Sequence, residues 1–244
     1  MNIICFGDSV TRGVTHVRGR LRIVKENYPT LLQSALTEMR VNMEIQMNIV
    51  NKGVINDNSD LLLARLDKDV LSERPNYVVI EIGGNDCNFR WDEVAKHPHR
   101  THDSIVPIER YLRNIEQMVK QIQNIGSTPV ILDILPLDPA RYYQHISSIH
   151  GASIGHWIGL CGGIGHWHGL YNYELRNLLK KLQVKRIDVR SAFKRAGNLS
   201  ELLSDDGVHP SPAGYRVLAN SVLSGLLEMG IIKPVQKQKV SIQF

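Results

Sequence analysis

A serine, a histidine and an aspartate can transfer an acyl group if a fold brings them together. This sequence offers one of each where apolar runs break. The run "NIICF" ends in Gly7-Asp8-Ser9, and "DGVHPSPAG" near the far end holds Asp206 and His209 three positions apart. A serine hydroxyl is a weak nucleophile at neutral pH until a base takes its proton. For Ser9 the best base is His209. A single turn lets Asp206 reach its Nδ1, which fixes the tautomer and leaves Nε2 free for the hydroxyl. The tetrahedral oxyanion also needs donors, each supplying roughly 3 kcal/mol in the transition state. Candidates are the Ser9 backbone N–H, a backbone N–H within residues 51–58 and the Asn85 side-chain amide. Cys87, two residues past Asn85, has no adjacent base and reads as packing beside the site.

Residues so far apart need a frame that delivers them to one place. Residues 3–6, 77–82 and 130–135 are nearly continuous apolar runs, the pattern of strands covered on both faces. Met43, Ile45, Met47 and Ile49 alternate with Glu44, Gln46 and Asn48, which predicts a strand near a sheet edge with one wetter face. A short fifth strand is expected at 186–189. Between them run amphipathic helices. One opens at Pro29 and buries Leu32, Ala35, Leu36 and Met39; another follows Pro107 with Ile108, Tyr111, Leu112, Ile115, Met118, Val119 and Ile122 on one face. Residues 59–71 and 170–183 read as two more, and Ser211-Pro212 caps a last helix running to about 229. Strict alternation predicts a parallel sheet between helical layers with right-handed crossovers. Ligands of such sheets bind beyond the carboxyl ends of the strands, which is where the polar segments fall.

The bulk composition excludes several classes. The 244 residues are 43% apolar and 22% charged, the make-up of a soluble globular chain long enough for one sizeable α/β domain. No stretch has the roughly 18 consecutive apolar residues of a membrane span, and no secretory signal pattern opens the chain. Three scattered cysteines do not make a disulfide framework, so the cytoplasm is the expected compartment. The net charge of +5 is partly local, with Lys233, Lys237 and Lys239 in a basic tail at 233–244. No nucleic-acid-binding motif accompanies it, and a nucleic-acid partner is not expected.

Taken together, Gly7-Asp8-Ser9, Asn51-Lys52-Gly53, Gly84-Asn85-Asp86 and Asp206-x-x-His209 resemble the four blocks of the SGNH (GDSL-type) esterases and acylhydrolases, in family order. The resemblance extends from residue 7 to 209. It implies an α/β three-layer αβα sandwich, flavodoxin-like, with a five-stranded parallel sheet of order 2-1-3-4-5. It also implies metal-free and cofactor-free serine hydrolase chemistry, with Ser9 as nucleophile, His209 as base and Asp206 as its orienter. Where the family carries an oxyanion-hole glycine, five residues after Asn51, this chain has Asn56. Asparagine is the non-glycine residue best able to adopt positive φ, and its backbone N–H is unaltered. The oxyanion donors are therefore read as Ser9, Asn56 and Asn85, with Gly53 as the alternative to Asn56.

One segment stands apart. Residues 138–172 contain "IGHWIGLCGGIGHWHGLY", in which Ile-Gly-His-Trp recurs after ten positions. His145, His150, His156, His166 and His168 cluster there, but no carboxylate or cysteine pair completes a metal-ligand spacing. The segment reads as a glycine-rich cap inserted into a single domain of residues 1–232, with Trp157 and Trp167 offering apolar or sugar-stacking surface. His97, His99 and His102 lie in a long connection after Asn85 and belong to a pocket wall, a lid or plain surface. Asp8, Gly53, Cys87, Trp157 and Trp167 are the expected substrate contacts. The function expected is an esterase of small or medium acyl esters, with carbohydrate acetyl esters among the candidates. Thioesterase or lysophospholipase activity, or a non-catalytic sugar-binding crevice, are the alternatives.

Overall fold

The computed structural model describes residues 1–39 and 46–233. Its strands are β1 (Asn2–Gly7), β2 (Val14–Val17), β3 (Arg20–Ile23), β4 (Asn48–Gly53), β5 (Tyr77–Glu81), β6 (Thr128–Leu132) and β7 (Lys185–Ile187). Five of them form one parallel sheet in the order β4-β1-β5-β6-β7. The order 2-1-3-4-5 therefore holds only when those five are counted alone. In chain numbering it is displaced by β2 and β3, an antiparallel hairpin that the sequence reading missed. The edge strand β4 begins later than the alternating run suggested, and Met43, Glu44 and Ile45 of that run lie outside the described residues.

The helices are α1 (Ser9–Arg12), α2 (Tyr28–Met39), α3 (Ser59–Ala64), α4 (Trp91–Lys96), α5 (Ile108–Asn124), α6 (Pro139–His150), α7 (Ile154–Leu160), α8 (Ile164–Leu182), α9 (Val189–Ala196), α10 (Leu199–Leu202) and α11 (Pro212–Glu228). The expected helix at 59–71 is interrupted, with a wider π-type turn over Asp67–Leu71 after α3. The helix expected from 170 starts at Ile164 instead. Ser211 caps α11 as predicted, its Oγ accepting the Gly214 N–H at 3.1 Å.

The alternation of β1 explains why its apolar run is unbroken. Ile3 and Cys5 face one layer with Leu32, Phe193 and Val222, whereas Ile4 and Phe6 face the other with Leu62, Ile115 and Leu175. A parallel sheet buried on both faces needs apolar side chains at both parities. A third cluster, including Phe89, Trp91, Val94, Ile146, Ile154 and Trp157, sits outside the sandwich and builds the cap. Among the described residues no helix is long and apolar enough to cross a membrane.

Candidate active site

Gly7 lets β1 end in close quarters: a Cβ there would lie 2.3 Å from the Glu81 carbonyl and from Thr11 Oγ1. Asp8 then caps α1 by accepting the Val10 N–H at 2.9 Å, and Ser9 opens that helix. Ser9 Oγ is 2.8 Å from His209 Nε2 across 200 positions of sequence. His209 Nδ1 is 2.6 Å from Asp206 Oδ2. The other carboxylate oxygen, Oδ1, accepts from Ser204 Oγ at 2.9 Å and from the Val208 and His209 backbone N–H groups at 3.1 Å. Burial alone would raise the Asp206 pKa. The His209 hydrogen bond and charge and the backbone donors outweigh it and hold this carboxyl well below its usual range.

Sequence reasoning missed His16. It projects from β2, with Nδ1 2.7 Å from Asp206 Oδ2 and its ring 5.3 Å from that of His209. That contact has ion-pair distance but not hydrogen-bond direction, and Nδ1 is left without a hydrogen-bond partner. The hairpin is tied to the loop bearing Asp206 by the Arg18 N–H on Asp205 Oδ2 (2.6 Å), and to α11 by Tyr215 Oη donating to the Val14 carbonyl (2.7 Å).

The loop after β4 separates the two alternative donors. The Gly53 N–H donates to Asn51 Oδ1 at 2.8 Å, and the residue packs so tightly that a Cβ would be 2.2 Å from the Arg12 nitrogen. Gly53 is thus used for packing. Asn56 has φ +66°, the left-handed conformation anticipated for it; it is exposed. Asn85 Nδ2 donates to the Asp57 carbonyl at 2.7 Å, joining the two loops and leaving one amide hydrogen uncommitted. Beneath them lies Arg65, also unanticipated. Its Nε donates to Asp57 Oδ2 (2.6 Å), its Nη2 to the Gly7 and Lys52 carbonyls (2.9 Å each), and its guanidinium stacks over Phe6.

Three buried acids stand behind the serine. Burial pushes Asp8 up to about 6, and burial together with the Asp8 charge pushes Glu81 well above the usual range. Asp86, whose Oδ1 accepts the Ser59 N–H, is pushed up to about 7 by burial. Asp8 lines the small cavity in front of Ser9 while its own carboxyl accepts the Val10 N–H.

That cavity, of about 50 Å³, shares Asn85, Leu137 and His209 with a larger one of about 250 Å³ roofed by the cap. Cys87 and Trp167 line the larger cavity. Burial raises the Cys87 thiol far above its usual range, and its Sγ donates to the Gly84 carbonyl. Trp157, expected on the wall, is instead buried behind it, edge-on to Phe89 at 5.8 Å. The glycine-rich cap is helical: the repeated Ile-Gly-His-Trp begins α7 and then α8. His102 Nε2 donates to the His97 carbonyl, and His99 faces His156 at 4.4 Å on the outside of the cap. Among the described residues, three possible metal ligands gather only at His16, Asp206 and His209, not in the cap.

With this geometry, the chain belongs to the GDSL-like lipase/acylhydrolase family, whose model matches residues 5–217. It is similar to a Bacillus subtilis (strain 168) protein named uncharacterized lipoprotein YqeF, at 22% identity over 92% of this chain and 88% of that one. An acetylxylan esterase of Geobacillus stearothermophilus is 25% identical over 91% of each chain. The fold is shared with the lipase/acylhydrolase of Enterococcus faecalis, with a TM-score of 0.70 and 21% identity over 96% of this chain and 98% of that one.

Proposed function

We propose that the chain is a serine esterase that hydrolyses small or medium acyl esters through an acyl-enzyme on Ser9. The observation that carries this reading is the unbroken relay from Ser9 Oγ to His209 Nε2 (2.8 Å) and from His209 Nδ1 to Asp206 Oδ2 (2.6 Å). Ser9 Oγ attacks the ester carbonyl while His209 Nε2 takes its proton, and the ionised Asp206 stabilises the imidazolium. The oxyanion forms among the N–H groups of Ser9 and Asn56 and the free amide hydrogen of Asn85. His209 then protonates the departing alcohol. Water, deprotonated by the same imidazole, attacks the acyl-enzyme, releases the acid and restores Ser9. The cycle calls on no cofactor.

Residues 1–232 act as one catalytic domain in this reading, with the tail at 233–244 outside it; all of that tail except Lys233 lies outside the described residues. The cytoplasm is the proposed compartment, in keeping with three unpaired thiols. A second reading, deacetylation of carbohydrate esters, is supported by the sequence likeness to the Geobacillus acetylxylan esterase. A thioester or lysophospholipid would pass through the same cycle with another leaving group.

A serine-directed phosphonate probe tests the proposal. Stoichiometric labelling that vanishes in Ser9→Ala and falls sharply in His209→Ala is expected, with ester turnover lost in both and the melting temperature held. Undiminished turnover in Ser9→Ala removes the serine from its role. A folded protein that neither labels nor turns over any ester is a binding module.

A further inference from the structure

One cleft takes no part in the ester chemistry. It is bounded by α8, the edge strand β7 and α9, and it encloses about 680 Å³. Arg176 and Lys180 line it from α8, Arg186 from β7, and Arg190 and Lys194 from α9. Among the described residues only Arg186 of the five is ion-paired, with Asp133 at 2.6 Å and Asp188 at 3.8 Å. Two acids against five cations leave three positive charges unbalanced. Arg190 is the most telling of them. Its Nη1 donates to the Ile134 carbonyl at 3.2 Å and the Leu135 carbonyl at 3.1 Å, and meets His168 Nδ1 at 3.1 Å. Its Nε and Nη2 have no acceptor among the described residues, although the residue is partly buried. Buried charge is normally paired, so half of this guanidinium fork stands uncommitted.

Protection of the sheet edge does not account for the arrangement. Charges on an edge strand keep it from pairing with another chain, and Lys185 and Arg186 already do so on β7. The other cations of the cleft lie on helices as like-charged i,i+4 pairs, Arg176 with Lys180 and Arg190 with Lys194. Such pairs destabilise a helix. An anion held between the two helices turns that repulsion into attraction.

We infer that this cleft is a binding site for a small molecule carrying a chain of phosphoryl groups, either inorganic or part of a nucleotide. Guanidinium forks match phosphate oxygens two at a time, and lysines supply point charge beside them. A lone carboxylate or phosphate would leave most of the unbalanced charge in place. The space agrees, since about 680 Å³ holds roughly twenty water-sized groups, room for several linked phosphoryl groups. The site does not depend on Ser9. Arg190 nevertheless holds the main chain of Ile134 and Leu135, which line the small cavity in front of that serine, so the cleft adjoins the active site without entering it.

Isothermal titration calorimetry of the full chain tests the site with sodium tripolyphosphate, ATP and citrate, in low-salt buffer free of divalent cations. Saturable one-to-one binding is expected for at least one of the two phosphoryl compounds, about tenfold or more tighter than for citrate. Whichever of tripolyphosphate and ATP binds more tightly identifies the source as inorganic or nucleotide. Lys180→Glu combined with Lys194→Glu, both at exposed positions, should weaken binding by about tenfold or more. Arg20→Glu combined with Arg22→Glu makes the same change in net charge on the β2–β3 hairpin and should shift it less than about twofold. Arg190→Lys keeps the charge but loses the fork, and should also weaken binding. If that variant fails to fold, the two double variants decide. Absence of saturable binding overturns the inference. So do equal binding of citrate, equal losses in the two double variants, and tighter binding of a short DNA duplex than of either phosphoryl compound. Ser9→Ala should bind as the wild type does, which keeps this result separate from the fate of the esterase reading.

Discussion

His16 Nδ1 lies 2.7 Å from Asp206 Oδ2, the same oxygen that His209 Nδ1 meets at 2.6 Å. One carboxylate oxygen therefore faces two imidazoles, only one of which is directed along a hydrogen bond. The groups around His16 are Asp206, His209, His145 and Asp205. Burial and the two neighbouring imidazoles place its pKa below the ordinary 6.5, against the pull of the two aspartates. At neutral pH it is uncharged. As pH falls, a proton on His16 puts a cation on the oxygen that orients His209. The acid limb of log(kcat/KM) should then approach a slope of two in the wild type and of one in His16→Phe. A pH–rate profile on an acetate ester measures both slopes; identical limbs would free Asp206 from His16.

Asn85→Ala should lower kcat by about 10²–10³-fold with a smaller effect on KM, the signature of a donor felt in the transition state. The same change removes the 2.7 Å bond to the Asp57 carbonyl. Asn85→Asp keeps an acceptor but loses the donor, so steady-state kinetics should show it no better than alanine.

Arg65 holds the Gly7 and Lys52 carbonyls and the Asp57 carboxylate from below. Its side chain is only 16% exposed, so Arg65→Met strands a largely buried Asp57 charge. A loss of about 3 kcal/mol in denaturant unfolding is expected. Because Asp57 also positions Asn85, kcat should fall even at temperatures where the variant is folded. Full activity in a destabilised variant would separate the scaffold from the site.

Glu81 and Asp8 set a stability trend opposite to that of Asp206. Their folded pKa values are raised, Asp8 from 3.8 to about 6, so the folded state binds more protons than the unfolded one between those values. Their contribution is present at low pH and is lost as pH rises through the folded value. Asp206, with a depressed value, contributes above about 4 and loses that contribution as pH falls. Glu81→Gln leaves a neutral donor beside Asp8 and should gain stability over the wild type at pH 8, with less gain at pH 5. Melting temperatures at the two pH values test it; an equal difference at both would break the link to titration.

The strand ends were legible because their chemistry is local. Apolar runs stop where polar turns begin, and the rule that parallel sheets bind ligands beyond those ends placed Ser9, Asn85 and His209 on one side. The start of α8 was placed too late, at 170, because glycine is a weak helix former, whereas Gly165 and Gly169 lie inside the helix and Gly155 and Gly159 inside α7. His16 was invisible for a related reason: Arg20–Ile23 is exposed along its length and shows no buried face. The available signal was the Arg18-Gly19 pair, which adopts φ +53° and +71° in a two-residue hairpin turn between alternating residues. Arg65 left no trace, since a helical arginine looks like solvent-facing charge until its partners are known.

The contact between Ser9 and His209 joins residues 200 positions apart. During synthesis the strand that delivers Ser9 leaves the ribosome well before the segment that bears His209. A ribosome-bound fragment that stops short of residue 209 carries the sheet's first strands without this proton acceptor. In the serine-esterase reading, such a fragment is chemically silent.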